Sequence, residues 1–269
     1  MSYALTPVVV DLDEINNLMG SKDVEFLKEF VDLYRDEMLE DDISGIDPDQ
    51  ESEDEIRAEY DLILSGQLPE MLEGNEGFAI FRTPLFKKIL KFLMIEIDEG
   101  ECGGEEVPQA KTTATALVHM VMGGSPDKTR GFRYGFALQL LCEHFGEIPD
   151  HNAWSPIGIE AFEFIDSQLM KAGVSVQTLD LTFPKFETRD LILRGPPVRI
   201  PESDDWPSIG YLNRVEAQEA LALLQQPSVN EVIAVAGDDS DWLNSAIGEL
   251  RSWLETCVAK QRDLVCFYA

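Results

Sequence analysis

Three histidines and four cysteines carry most of the reactive chemistry that this chain can offer. They are His119, His144 and His151, and Cys102, Cys142, Cys257 and Cys266. A helix that clamps zinc needs two ligands one turn apart, as in H-E-x-x-H. No such spacing occurs, and no C-x-x-C pair occurs either. Cys142 and His144 look like a thiol beside its base. Two residues along a helix differ by about 200°, however, so the two side chains face opposite ways. Cys142, Cys257 and Cys266 fall inside apolar patterns and read as small core residues. Cys102 sits in a Gly/Glu loop, where acidic neighbours would raise its pKa and blunt it as a nucleophile. A G-x-S-x-G elbow is absent.

Two loops invite ligand readings and fail on spacing. Gly123-Gly-Ser-Pro-Asp127-Lys-Thr129 has the Lys-Thr of a phosphate loop, but Asp127 stands where glycine must precede the lysine. A carboxylate there repels phosphate, so the segment reads as a helix connector. Asp47-Pro-Asp49-Gln-Glu51-Ser-Glu53 starts like a calcium loop, but Ser52 and Ala58 hold the places of the required glycine and bidentate glutamate. No metal site and no cofactor is expected.

What remains is a helix and its two ends. Gly131 to Phe145 is apolar on most sides and reads as central, with Arg130, Arg133 and Tyr134 at its start. His144, Asp150, His151 and Trp154 gather at its other end. Arg133 and His144 share a stripe, but eleven residues place them roughly 16 Å apart along the axis. Buried polar groups need partners. One reading is that these groups satisfy each other and the neighbouring loops. The other is a pocket at the His144–Trp154 end, bordered by Asp150 and His151, with Arg133 and Tyr134 further along. No residue is assigned a catalytic role.

The elements that position these groups follow from periodicity. Ala4 to Val10 is a β-rich stretch that contains Pro7, so it is either an edge strand or a strand that begins after Pro7. Asp11 or Asp13 caps a short helix ended by Gly20. Ser21 is expected to cap a longer one, with the stripe Val24, Leu27, Val31, Tyr34 and Met38. The tract that follows is expected as a loop around Gly45 and Pro48. Ser52 with Glu55 then forms a capping-box pattern that opens a helix toward Leu64. Thr83-Pro84 starts a further helix, and Glu99 to Pro108 reads as a linker. Helices are expected from about Lys111 to Met122, from Gly131 to Phe145, and from Ser155-Pro156 to Lys171. Val174 to Leu181 and Leu191 to Arg194 read as strands, as does Ile209 to Leu212. Asn213 caps a helix through Leu224, and Val232 to Ala236 is ambiguous. The last helix carries the stripe Leu243, Ile247, Leu250, Leu254, Cys257 and Val258. Leu264 to Tyr268 is apolar enough to lie inside a sheet. The result is a helix-rich α+β chain, read as a single domain over 1–269. Its small mixed sheet uses N- and C-terminal strands.

Charge adds a second map. The 269 residues hold 51 acids and 21 bases, a net charge of −30, with 44% hydrophobic residues. Residues 1–110 contain 29 acids and 8 bases, and Asp36 to Asp61 alone contains thirteen carboxylates against Arg57. The chain therefore divides into an acidic helical part, 1–110, and a helical core and sheet part, 111–269. Without a basic surplus, binding to nucleic acid or to anionic membranes is disfavoured. No run reaches the ~18–20 apolar residues of a membrane span. The start lacks a signal-peptide pattern, and four scattered cysteines fit reduced thiols, so the expectation is cytoplasmic.

Several motifs together resemble a known group. They are the opening Met-Ser-Tyr-Ala-Leu-Thr-Pro, the central Gly131-Phe-Arg-Tyr-Gly-Phe-Ala-Leu138 with Leu141-Cys-Glu-His-Phe-Gly146, and the final Leu264-Val-Cys-Phe-Tyr268. They are similar to a bacterial protein family of unknown function and, more distantly, to YfbM-like proteins. The likeness implies one α+β domain over nearly the whole chain and transfers no catalytic residue. Two functional readings follow. The first is a cytoplasmic, non-enzymatic, immunity-like interaction protein whose acidic half covers a basic partner. The second is a small-molecule binder, or an enzyme of unrecognised class, that uses the pocket near His144 and Trp154.

Overall fold

The structure, a computed structural model, describes residues 3–44, 52–66, 112–123, 131–174, 187–201 and 207–269. The helix expected from Thr83, the linker Glu99–Pro108 with Cys102, the connector beyond Gly123, Arg130, the strand beyond Val174 and most of the calcium-like tract lie outside these residues. In chain order the elements are β1 (Leu5–Val10), α1 (Leu12–Leu18), α2 (Val24–Leu33), α3 (Arg35–Ser44), α4 (Glu53–Leu64), α5 (Thr113–Met122), α6 (Gly131–Phe145), α7 (Ile159–Lys171), α8 (Asp190–Leu193), β2 (Ser208–Leu212), α9 (Arg214–Leu224), α10 (Pro227–Ala234), α11 (Ser240–Lys260) and β3 (Asp263–Tyr268). The chain forms two compact units. Unit 1 comprises residues 1–16 and 138–269, and unit 2 comprises residues 17–137. This seam differs from the division at residue 110 drawn from charge, because compactness follows contacts and not composition.

Unit 1 is built on a three-stranded sheet of order β1-β3-β2. The apolar C-terminal strand takes the centre, and all six of its residues are buried. Leu5 lies opposite Tyr268 on one side, and Ser208 lies opposite the same residue on the other. Both pairings are antiparallel, where a mixed sheet was expected. A strand between two neighbours that both run against it leaves no parallel pair. Pro7 lies in edge strand β1, where its missing donor costs no ladder bond. Neither outer edge is bare. Val9 exchanges backbone hydrogen bonds with Glu147 at 2.9 and 3.1 Å. On the far side the Gly195 N–H donates to the Ile209 carbonyl at 2.8 Å, and Arg194 donates to the Tyr211 carbonyl at 3.1 Å. Such cover protects a short sheet from pairing with other chains.

The long helix α11 packs its apolar stripe, Leu243, Ile247, Leu250, Leu254 and Cys257, into the core beside Phe162, Ile165 and Leu264. Asp263, at the start of β3, is 2% exposed and serves two helices at once. Its carboxylate accepts from the first N–H of α1 (Leu12, 3.0 Å) and from the first N–H of α9 (Arg214, 2.8 Å). Both helix N-termini carry positive dipole ends, so one buried carboxylate compensates both.

Three local expectations are corrected. Leu191 to Arg194 is not a strand but is mostly the short helix α8, because Asp166 accepts from Thr188 N–H at 2.6 Å and from Arg189 N–H at 3.4 Å and turns the chain there. Residue 210 of β2 must be glycine, since a Cβ would overlap the backbone of Asp190 and Leu191 in α8. Helix α7 begins at Ile159 and not at Ser155, because Trp154 and Ile157 are drawn into the core ahead of it. The ambiguous Val232 to Ala236 is mostly helical, in α10.

Unit 2 is helical in its described part. Asp23, not Ser21, caps α2 by accepting from Phe26 N–H at 2.9 Å. The single long stripe expected through Met38 is broken at Tyr34, and the acidic residues after Met38, expected as a loop, continue the separate helix α3 to Ser44. The Ser52–Glu55 capping box opens α4 as its spacing demands. Helix α5 ends at left-handed Gly123, and Gly20 and Lys22 donate to its last carbonyls, those of Met120 and Val121.

Candidate functional site

Of the six residues singled out as a possible pocket, Arg133 and Tyr134 belong to unit 2, and His144, Asp150, His151 and Trp154 belong to unit 1. In unit 1, Trp154 is fully buried, with its ring 5.4 Å from that of Trp253 and 5.5 Å from that of Phe162. It has no surface to offer a ligand. His144 and Asp150 are exposed, and His151 is half-buried. The His151 Nδ1 lies 3.0 Å from the Pro149 carbonyl, which can only accept, so that nitrogen carries the proton. His144 stands edge-on to Phe145. Cys142 is buried while His144 faces solvent, as the helical angle between them requires.

The segment from Asp150 to Ile157 is fastened by indoles. Trp253 donates to the Asp150 carbonyl at 2.7 Å, Trp242 donates to the Ala153 carbonyl at 3.1 Å, and Trp154 donates to the Ala246 carbonyl at 3.1 Å. Glu249 accepts from the Ala153 N–H at 3.0 Å, and the Tyr268 hydroxyl donates to the Ile157 carbonyl at 3.1 Å. An indole that buries a large apolar ring and spends its single donor on a backbone carbonyl is a structural fastening. A shallow crevice of about 10 Å³, room for roughly one water, lies elsewhere in unit 1, lined by Ile165, Gln168, Leu169, Val229, Ile233 and Leu243. That is below the ~300 Å³ at which ligand pockets begin, and the lining offers little to orient a polar ligand.

In unit 2 the polar chemistry is charged. Asp42 is fully buried, and Arg133, which pairs with it, is 2% exposed. The Asp42 carboxylate also accepts from Tyr60 Oη at 2.6 Å, from Thr113 Oγ1 at 2.8 Å and from the Thr113 N–H at 3.0 Å. It thus joins α3 to α4, to the first turn of α5 and to α6. Burial pushes this carboxyl above its ordinary value, against the pull of Arg133, Tyr60 and Thr113. Burial, the Asp42 charge and the hydrogen bond to it all push the Tyr60 phenol up. Beside this cluster Glu59 accepts from Thr112 and Thr115 at 3.0 and 2.9 Å. On α5 His119 is buried, and its Nδ1 lies 2.6 Å from the Tyr134 hydroxyl.

The described thiols are quiet. Cys142, Cys257 and Cys266 are buried and unpaired by disulfides. Burial raises all three, Cys257 to about 12. Thiols so raised are poor nucleophiles at neutral pH. Among the described residues no group of three or more His, Cys, Asp or Glu is arranged to hold a metal ion, and no helix is long and apolar enough to cross a membrane.

Residue types alone did not single out Asp42, Tyr60, Thr113 or Asp263. A signal for Asp42 was present: it follows Tyr34 and Met38 at intervals of four and so lies on their apolar stripe.

Among the described residues the outer faces of α2, α3 and α4 are anionic. Glu25, Glu29, Asp32, Asp36, Glu40, Asp41 and Asp54 on α2 to α4 are exposed and make no ion pair among the described residues. Arg35 pairs with Asp61 at 2.8 Å, and Arg57 pairs with Glu53 at 2.6 Å.

Fold and sites together define a helix-rich α+β protein with a small antiparallel sheet. Comparison with known proteins places residues 98–269 in a family described as a domain of unknown function, DUF7691, and the chain belongs to that family. No curated protein matches the chain, and no solved structure matches it.

Proposed function

We propose that the chain is a cytoplasmic, non-enzymatic interaction protein of bacterial origin, immunity-like in its logic, which docks a basic partner protein on its acidic N-terminal half. The distant likeness to YfbM-like proteins belongs to the same reading. One observation carries it: seven exposed carboxylates on α2, α3 and α4 make no ion pair among the described residues. A field of one sign accelerates encounter with a complementary surface and sets the register of docking.

The test is capture of partners on the immobilised full chain at low and at high salt, beside the variant D36K/E40K/D41K. The reading expects a basic protein held at low salt, released at high salt and missed by the variant. A partner indifferent to both salt and charge reversal, or no partner, overturns it.

A further inference from the structure

Helix α3 is an unusual tenant of unit 2. Five of its ten residues are carboxylates, Asp36, Glu37, Glu40, Asp41 and Asp42, against one base, Arg35. Only Met38 and Leu39 among its apolar side chains are fully buried, and its third buried residue is Asp42. Its neighbours are anchored differently. Helix α2 buries Leu27, Phe30 and Val31, and α4 buries Ile56, Tyr60 and Ile63. The outer faces of all three helices repel one another, because each carries exposed carboxylates.

We propose that Asp42 is a latch. One buried carboxylate holds a self-repelling helix against α4, α5 and α6, and α3 opens locally while α2, α4 and α5 stay folded. Opening α3 exposes two apolar side chains and hydrates one ion pair, less than either neighbour would expose. The groups that hold the latch from the facing elements are Tyr60 of α4, Thr113 of α5 and Arg133 of α6. Two forces of different reach act on it. Salt screens the repulsion among the many exposed carboxylates and, with the opposite sign, the single exposed Arg35–Asp61 pair that ties α3 to α4, but it barely reaches the buried pair. The latched state is therefore favoured as ionic strength rises.

Amide hydrogen exchange of the full chain, read by peptide, tests this. In the wild type, α3 is expected to exchange faster than α2 and α4. The D42N substitution is expected to raise α3 exchange by at least about tenfold, with α2, α4 and unit 1 unchanged. Because D42N leaves Arg133 charged and buried, Tyr60→Phe is the milder companion. It removes one donor and leaves the ion pair, and it should raise α3 exchange by a smaller factor at the same place. Raising salt from about 20 to about 500 mM should slow α3 exchange relative to α2 in the wild type. A rise shared equally by α2, α4 and α5, no rise in either variant, or α3 exchange that salt leaves unchanged or accelerates would overturn the latch.

Discussion

In unit 1 the buried donors are neutral. Trp154 and Trp242, with Trp253 beside them, each give one indole N–H to a backbone carbonyl, and their rings fill the core around α11. In unit 2 the corresponding donor is the guanidinium of Arg133, aimed at the carboxylate of Asp42. The two solutions differ in what they demand. An indole spends one proton and buries a large apolar ring, so packing and hydrogen bond reinforce each other. A buried ion pair must recover a desolvation penalty of several kcal/mol per ion, and it does so only with further donors such as Tyr60 and Thr113 in place. Unit 1 should therefore tolerate changes of salt, and unit 2 should depend on every member of its cluster.

The strongest way to break this comparison is to remove one anchor from each unit. Trp253→Ala leaves a cavity in a fully buried site and should lower the stability of unit 1 by about 3–5 kcal/mol. Arg133→Met leaves Asp42 buried without its counter-ion and should lower that of unit 2 by about 3–5 kcal/mol. The two are separable. All four tryptophans, Trp154, Trp206, Trp242 and Trp253, fall within the residues of unit 1, so denaturation followed by fluorescence reports that unit alone. W253A should move the fluorescence transition. R133M should move the circular-dichroism transition and leave the fluorescence transition in place. If both signals move together in both variants, the units unfold as one and the comparison fails.

A middle-sized effect sharpens the account of unit 1. Gly210→Ala adds a methyl group where the backbone of Asp190 and Leu191 already lies. Backbone cannot swing aside as a flexible side chain can, so α8 must move off the sheet, at a cost of about 1–3 kcal/mol. The fluorescence-monitored urea midpoint should fall accordingly. An unchanged midpoint would mean that α8 is not seated on β2.

How much of this could be read beforehand depended on the sequence distance of each partner. The Ser52–Glu55 box, the Asn213 cap and the Gly123 stop need groups within three or four residues, and they stand where local spacing puts them. The central place of β3 was legible because an apolar terminal strand has nowhere else to go. Helix α3 was not legible. Its mean composition is too polar for a packed helix, and what seats it lies 71 residues away at Thr113 and 91 residues away at Arg133. Trp154 drew notice as an aromatic beside histidines. The acceptor of its indole, Ala246, lies 92 residues on and gives no local sign. The Leu191 to Arg194 run failed for a related reason: a short apolar stretch fits strand and helix alike until Asp166 fixes the turn.

The smallest expected effect concerns the charged rim of unit 1. Arg194 pairs with Glu216 at 2.7 and 2.8 Å and lies over the Tyr211 ring at 4.1 Å. Partial burial pushes the Glu216 carboxyl up, but the Arg194 hydrogen bonds and charge and the Asn213 N–H outweigh it and hold the group below its ordinary range. A carboxyl lowered by folding adds stability above its unfolded value of about 4.3, and that stability is lost as pH falls through the folded value. Because the pair is about a third exposed, the whole effect should stay below about 1 kcal/mol. Glu216→Gln keeps an acceptor for the Asn213 N–H and removes the charge. Wild type and E216Q should therefore differ near pH 6 and converge as the pH is lowered through the acid range. The difference should also shrink in high salt, where the indole-fastened core beneath it shows no such response. A gap that persists undiminished at the lowest pH would mean that the contribution of Glu216 does not come from its charge.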